Sequence, residues 1–174
     1  AFMTKVGELI NWGAVQQPFW AGIIVSVLMG IALTLPISSA AIGVSLNLSG
    51  IAAGAAAVGC AANMVGFAVA SFRENKTGGL VAQGLGTSML QMPNIIRKPV
   101  IWLPAILASA ILGPISTCVL GMTNNATGSG MGTCGLVGQI MAFQTMTGEG
   151  MGAALVLLQI LLMHEDSPSK MAKF

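Results

Sequence analysis

The chain has 174 residues, of which 55% are hydrophobic and 7% charged, with a mean hydropathy of +0.84. A soluble domain of this length carries roughly 40 charged residues; this one has seven Lys and Arg and five Asp and Glu. No charge occurs in 9–72, 77–96, 99–148 or 150–163, and the first and third of these runs are each more than twice the ~20 apolar residues that cross a bilayer. That excludes a soluble globular protein, a disordered chain and a disulfide scaffold, and reads as an integral membrane protein. A net charge of +2, with basic residues in pairs, does not make a nucleic-acid surface. The chain opens on Ala1 without the basic region, apolar core and cleavage site of a signal peptide, and reads as a fragment or processed product.

Residues 1–17 place Phe2, Val6, Leu9, Ile10 and Val15 near helical spacing with Lys5, Glu8 and Asn11 between them, the pattern of a short helix on the membrane surface. The first span is 18–36: Pro18 suits a first helical turn, and Phe19 and Trp20 suit the headgroup boundary. Residues 37–49 are apolar but hold Ser38, Ser39, Ser45 and Asn47; they either extend the span or form irregular backbone in a protein-lined cavity. A second span, 50–72, is rich in small residues (Gly50, Gly54, Ala57, Gly59, Ala61, Ala62), which let backbones approach closely in lipid and place this helix inside a bundle.

Residues 77–96 carry Gly78, Gly79, Gly84 and Gly86, too many for a stable free helix, in a sequence too apolar for an ordinary loop; a surface or re-entrant segment lining a cavity fits them. The third span, 99–122, contains Pro104 and Pro114, which kink or break a helix unless neighbours satisfy the freed carbonyls. Residues 123–133 read as a loop, and 134–163 as a final apolar region interrupted at Thr147-Gly148-Glu149-Gly150, before a polar tail at 164–174. Arg73, Lys76, Arg97 and Lys98 all fall between the second and third spans, so that connection should be cytoplasmic and 123–133 external. The final region then makes one broken crossing that brings Lys170 and Lys173 back inside, or a re-entrant hairpin around Glu149 that leaves the tail outside. The expected fold class is all-α: a polytopic transmembrane bundle of about four crossings with broken or re-entrant segments, in one membrane domain over 1–174.

Glu149 is the sole acidic residue between two apolar stretches. A carboxylate in lipid is costly unless paired or hydrated and marks a substrate or ion path; the plainer reading is a solvated Gly-flanked surface turn. Asn124 and Asn125 sit in a Gly-, Ser- and Thr-rich loop that offers the multidentate hydrogen bonds sugars need, or forms an ordinary turn. Gln91, Asn94, Gln139 and Gln144 either line a cavity or bond neighbouring helices, and Asn63 is equally ambiguous. His164 beside Glu165 and Asp166 has no second His at ligand spacing. Cys60, Cys118 and Cys134 lack CxxC spacing and read as packing residues. No catalytic residue, metal site or cofactor motif is apparent.

Three stretches carry a resemblance: LPISSAAIGVSLNLSGIAAGAAAVGCAANMVGF (35–67), GTSMLQMPNIIRKP (86–99) and ILGPISTCVLGMTNNATGSGMGTCGLVGQ (111–139). They resemble the membrane-spanning IIC component of the bacterial sugar phosphotransferase system, in particular a divergent, stand-alone IIC-like group. The resemblance spans about 18–163 and corresponds to the C-terminal portion of proteins about twice as long. It implies a sugar permease of the cytoplasmic membrane, multi-pass and homo-oligomeric. Phosphotransfer would occur only with separate IIA and IIB partners meeting the cytoplasmic loop. It also implies a sugar-binding role for Glu149, whose turn is similar to the family's short Gly/Thr/Glu turns. The alternative is a non-transporting sensor or regulator on a IIC-like scaffold.

Overall fold

A computed structural model describes residues 2–152, 154 and 156–158. The polar tail, with His164, Lys170 and Lys173, lies outside the described residues. Among those residues every regular element is helical, and the one extended contact is an isolated bridge between Gly50 and Asn124. The helices are α1 (Phe2–Gln16), α2 (Pro18–Thr34), α3 (Ser39–Ser45), α4 (Gly50–Ala70), α5 (Phe72–Val81), α6 (Met92–Arg97), α7 (Leu103–Pro114), α8 (Ala126–Ser129) and α9 (Val137–Gly148). Two helical stretches, Gly50–Ala70 and Pro99–Leu120, are long and apolar enough to cross a membrane, and Pro18–Thr34 is a shorter apolar helix.

The core is a three-helix contact built on glycines. Gly22 of α2 lies against Gly113 of α7, and Gly30 of α2 lies against Asn63 and the Gly59 carbonyl of α4; a Cβ at any of these glycines would collide with its neighbour. Such approach is how helices gain packing energy where lipid removes the hydrophobic drive. Ser26 donates from Oγ to the Ser109 carbonyl at 2.8 Å, and Asn63 Nδ2 donates to Ser109 Oγ at 2.9 Å. These pairings fix the directions: α2 and α4 run parallel, and α7 runs antiparallel to both.

Parallel neighbours need a return. Pro36 prevents α2 from continuing and holds Leu35 extended (φ −68°, ψ 155°). Residues 35–49 then travel back along the bundle, with α3 capped by Ser38, whose Oγ accepts from Ala41 N at 3.2 Å. Neither sequence reading of 37–49 holds in full: the span ends at Thr34, and after the break the segment forms the short helix α3. At this end Asn11 of α1 donates to the Asn47 carbonyl and accepts from Ser49 N.

Gly50 has φ +57° and open space around it, so it starts α4 and does not pack; the close-contact glycines of α4 are Gly54 and Gly59. Pro104 sits harmlessly in the first turn of α7, while Pro114 ends it, and the chain continues as a π-helical stretch, Ile115–Leu120. Thr117 Oγ1 there donates to the Pro18 carbonyl at 2.8 Å, closing the end opposite Arg73, Lys76, Arg97 and Lys98.

Two expectations are corrected. Residues 123–133 do not form an exposed outer loop: Asn124, Gly128, Ser129, Gly130, Gly132 and Thr133 are buried. Beginning beside Gly50, the segment descends into the bundle until Gly130 meets the Ser39 backbone and Gly132 meets the Cys60 backbone, halfway along α4. Nor does the described part of 134–163 make one broken crossing. Gly135 and Leu136 (φ +54° and +60°) reverse the chain, and α9 returns alongside the descending segment, Gly138 against Gly132 and Met141 against Gly128. Residues 123–149 are therefore a re-entrant hairpin, entering and leaving at the end remote from Arg73, Lys76, Arg97 and Lys98. The chain then turns inward again, because Val156 is fully buried in the cluster of Val58, Ala62, Ala108 and Leu112. The physical reason is the density of Gly, Ser and Asn, whose small or self-bonding side chains let irregular backbone lie against helices without unpaired polar groups.

Candidate functional site

Irregular backbone inside a bundle is tolerated where protein or water satisfies it, and here it converges on one place. The end of α2, residues 36–40, residues 86–89 and the hairpin tip surround a cavity of about 410 Å³. Each wall has a local cause. Ser39 donates from Oγ to the Gly130 carbonyl at 2.6 Å, tying the return segment to the tip. Thr133 Oγ1 donates to the Gly84 carbonyl, tying the tip to the π-helical turn Ala82–Gly86. Thr87 is extended and its Oγ1 accepts from Met89 N at 3.2 Å, starting the turn Ser88–Gln91. Ser88 beneath it is fully buried, its Oγ 3.2 Å from Thr34 Oγ1.

The lining is chemically simple. Its side-chain polar groups are the hydroxyls of Ser38, Ser39 and Thr87 and the thiol of Cys134; the rest is aliphatic, thioether or glycine, with no charged or amide group. Each hydroxyl has one proton and two lone pairs. Ser38 and Thr87 use theirs as acceptors, which leaves both protons free to donate, whereas Ser39 donates and keeps lone pairs. Among the described residues no three His, Cys, Asp or Glu gather to hold a metal.

The residues singled out from sequence occupy other levels of the same axis. Glu149 is exposed where the hairpin leaves the bundle, and its Oε2 accepts from Thr123 Oγ1 at 2.6 Å. Asn124 is 1% exposed; its Nδ2 donates to the Gly138 carbonyl and its Oδ1 accepts from Asn125 N, so it braces the hairpin from within. Asn125 caps α8 through Oδ1, which accepts from Gly128 N at 2.8 Å. Gln139 lies near the tip, its side-chain amide turned toward the Leu136 and Gly132 carbonyls at 3.2 Å. Gln91, buried, accepts from the exposed Asn94 at 2.9 Å, at the basic end. Glu149, Asn124 and Asn125 thus share the hairpin base, Gln139 is apart from them at its tip, and Gln91 and Asn94 form a separate pair. Thr87 and Met131 escaped sequence reasoning. The signal for them was the glycine punctuation around each (Gly84, Gly86; Gly130, Gly132), which marks backbone that comes close to something.

A family model described as phosphotransferase system, EIIC matches residues 1–164. The chain belongs to the EIIC family. No curated protein and no solved structure matches it. EIIC domains are membrane components of the sugar phosphotransferase system, so this EIIC chain is a membrane protein of that system.

Proposed function

We propose that this EIIC chain carries a sugar across the cytoplasmic membrane, with 1–174 acting as one multi-pass membrane domain. The observation that supports this most is the re-entrant hairpin whose tip ends at a cavity beside two further breaks in helical structure. Discontinuous helices meeting near the middle of a bundle are how transporters present backbone and small polar groups to a substrate. In this reading the polar residues mark successive levels of a path. Glu149 and Asn125 stand at one mouth, Gln139 and the cavity in the middle, and Gln91 and Asn94 near the other mouth. Arg73, Lys76, Arg97 and Lys98 face the cytoplasm, where partner proteins of the phosphotransferase system would meet the carrier.

The locked packing of Gly130 and Gly132 against the backbones of Ser39 and Cys60 favours a second reading, a sensor on the same scaffold that binds sugar without moving it. Equilibrium binding of a sugar panel to the purified chain, paired with uptake of the same sugars by cells expressing it, separates the two. Binding with uptake is expected; binding without uptake selects the sensor, and neither would remove both.

A further inference from the structure

From the lining chemistry we infer that the cavity between residues 36–40, residues 86–89 and the hairpin tip selects un-ionised sugars bearing an apolar substituent, such as alkyl or aryl glycosides. This rests on the sugar-permease reading and narrows it. The volume, about 410 Å³, lies within the range of small-ligand sites. Hydroxyls of Ser38 and Thr87 with free protons, and of Ser39 with free lone pairs, offer two donors and one acceptor. That suits neutral sugar hydroxyls, which donate and accept alike. Nothing in the lining offers a charged partner, so an ionised group gains no ion pair there in return for the water it gives up. In the same lining, Leu33, Ile37, Met89 and Met131 present aliphatic and thioether surface that a bare polyol leaves uncompensated. Methionine there adapts its shape to different substituents. The amides and carboxylate that hold highly hydroxylated sugars are absent from this wall; Glu149 and Asn125 lie at the hairpin base.

Cys134 lines the same cavity and reports on it. Cys60 is fully buried, and the exposed Cys118 is removed by Cys118→Ser. The protein, purified in a detergent without a sugar headgroup, is alkylated with N-ethylmaleimide in the presence of glucose, phenyl β-glucoside, phenyl β-glucuronide or 1-hexanol. Phenyl β-glucoside should halve the Cys134 rate at a concentration roughly tenfold below that needed for glucose, the factor that about 55 Å² of extra apolar burial provides. Glucuronide and hexanol should protect poorly. Ile37→Ser, at an exposed position that tolerates the change, should bring phenyl glucoside close to glucose. Equal protection by glucose and phenyl glucoside, or by the glucuronide, overturns the inference while leaving the permease standing. Protection by hexanol as strong as by the glycoside makes this a lipid-tail cavity and also overturns it. Absence of protection by every sugar, together with absence of uptake, removes the permease reading itself.

Discussion

Leu136 holds a left-handed conformation (φ +60°) directly after Gly135 (φ +54°), where the hairpin reverses. The left-handed region costs an L-residue about 1–2 kcal/mol, and Leu136 is 48% exposed, so its side chain returns little of that. Leu136→Gly is therefore expected to stabilise the protein by about 0.5–1 kcal/mol after allowing for the greater freedom of glycine in the unfolded chain; thermal unfolding in detergent checks it. Glu149 behaves differently. Gln in its place still accepts from Thr123 Oγ1, so stability should stay within about 0.5 kcal/mol. What is lost is charge. If Glu149 stands at the mouth of a sugar path, Glu149→Gln should raise the KM for uptake about three- to tenfold, the difference between a charge-assisted and a neutral hydrogen bond. An unchanged KM would leave it a surface turn residue. The sequence singled out Glu149 because one charge in a long apolar run is conspicuous. It could not reveal Leu136, since nothing about a leucine announces positive φ.

Among the elements, α4 is the post against which the others pack, and glycines set how close they come. Gly54 lies against the Met122 carbonyl, where the chain enters the hairpin, whereas Leu28 is 60% exposed on α2. Gly54→Leu should abolish folding or monodispersity, while Leu28→Ala should cost less than about 1 kcal/mol; comparable detergent melting temperatures would show the glycine contact to be dispensable. Ser109 joins all three core helices, accepting at Oγ from Asn63 and at its carbonyl from Ser26. Ser109→Ala should therefore cost about 1 kcal/mol, the scale of interhelical hydrogen bonds in membrane proteins; a Tm equal to wild type would discount it. The positions of α2, α4 and α7 were legible because apolar runs and small-residue spacing encode burial directly. The hairpin was not, because a Gly- and Asn-rich segment looks alike whether water or protein satisfies its backbone.

For the molecule as a whole, Arg73, Lys76, Arg97 and Lys98 lie at one end and the hairpin base at the other. In the orientation that places Arg73, Lys76, Arg97 and Lys98 inside, Lys76→Cys in a Cys-free background should resist an impermeant maleimide applied to intact cells. Gly148→Cys, where the added side chain meets open space, should react. Labelling at position 76 from outside would invert the topology. Ser129 cannot serve as the external probe that its loop-like neighbourhood suggests, since it is fully buried. Sequence reading placed the two ends correctly relative to one another in this fold, because charge avoids apolar cores. It misplaced the depth of 123–133 because depth is set by packing partners far away in the chain, Ser39 and Cys60 among them.

A cavity lined only by hydroxyls, thioethers and aliphatic groups has one more consequence. In a carrier whose cargo is phosphorylated in place, the neutral ligand becomes a dianion among groups that include no cation, and it is held there less favourably than in water. The same walls that admit the sugar would then eject its phosphate ester. The exposed Arg73, Lys76, Arg97 and Lys98 at one end of the bundle would attract it. Chemistry on the ligand, with no change in the protein's own affinity, would make the passage one-way.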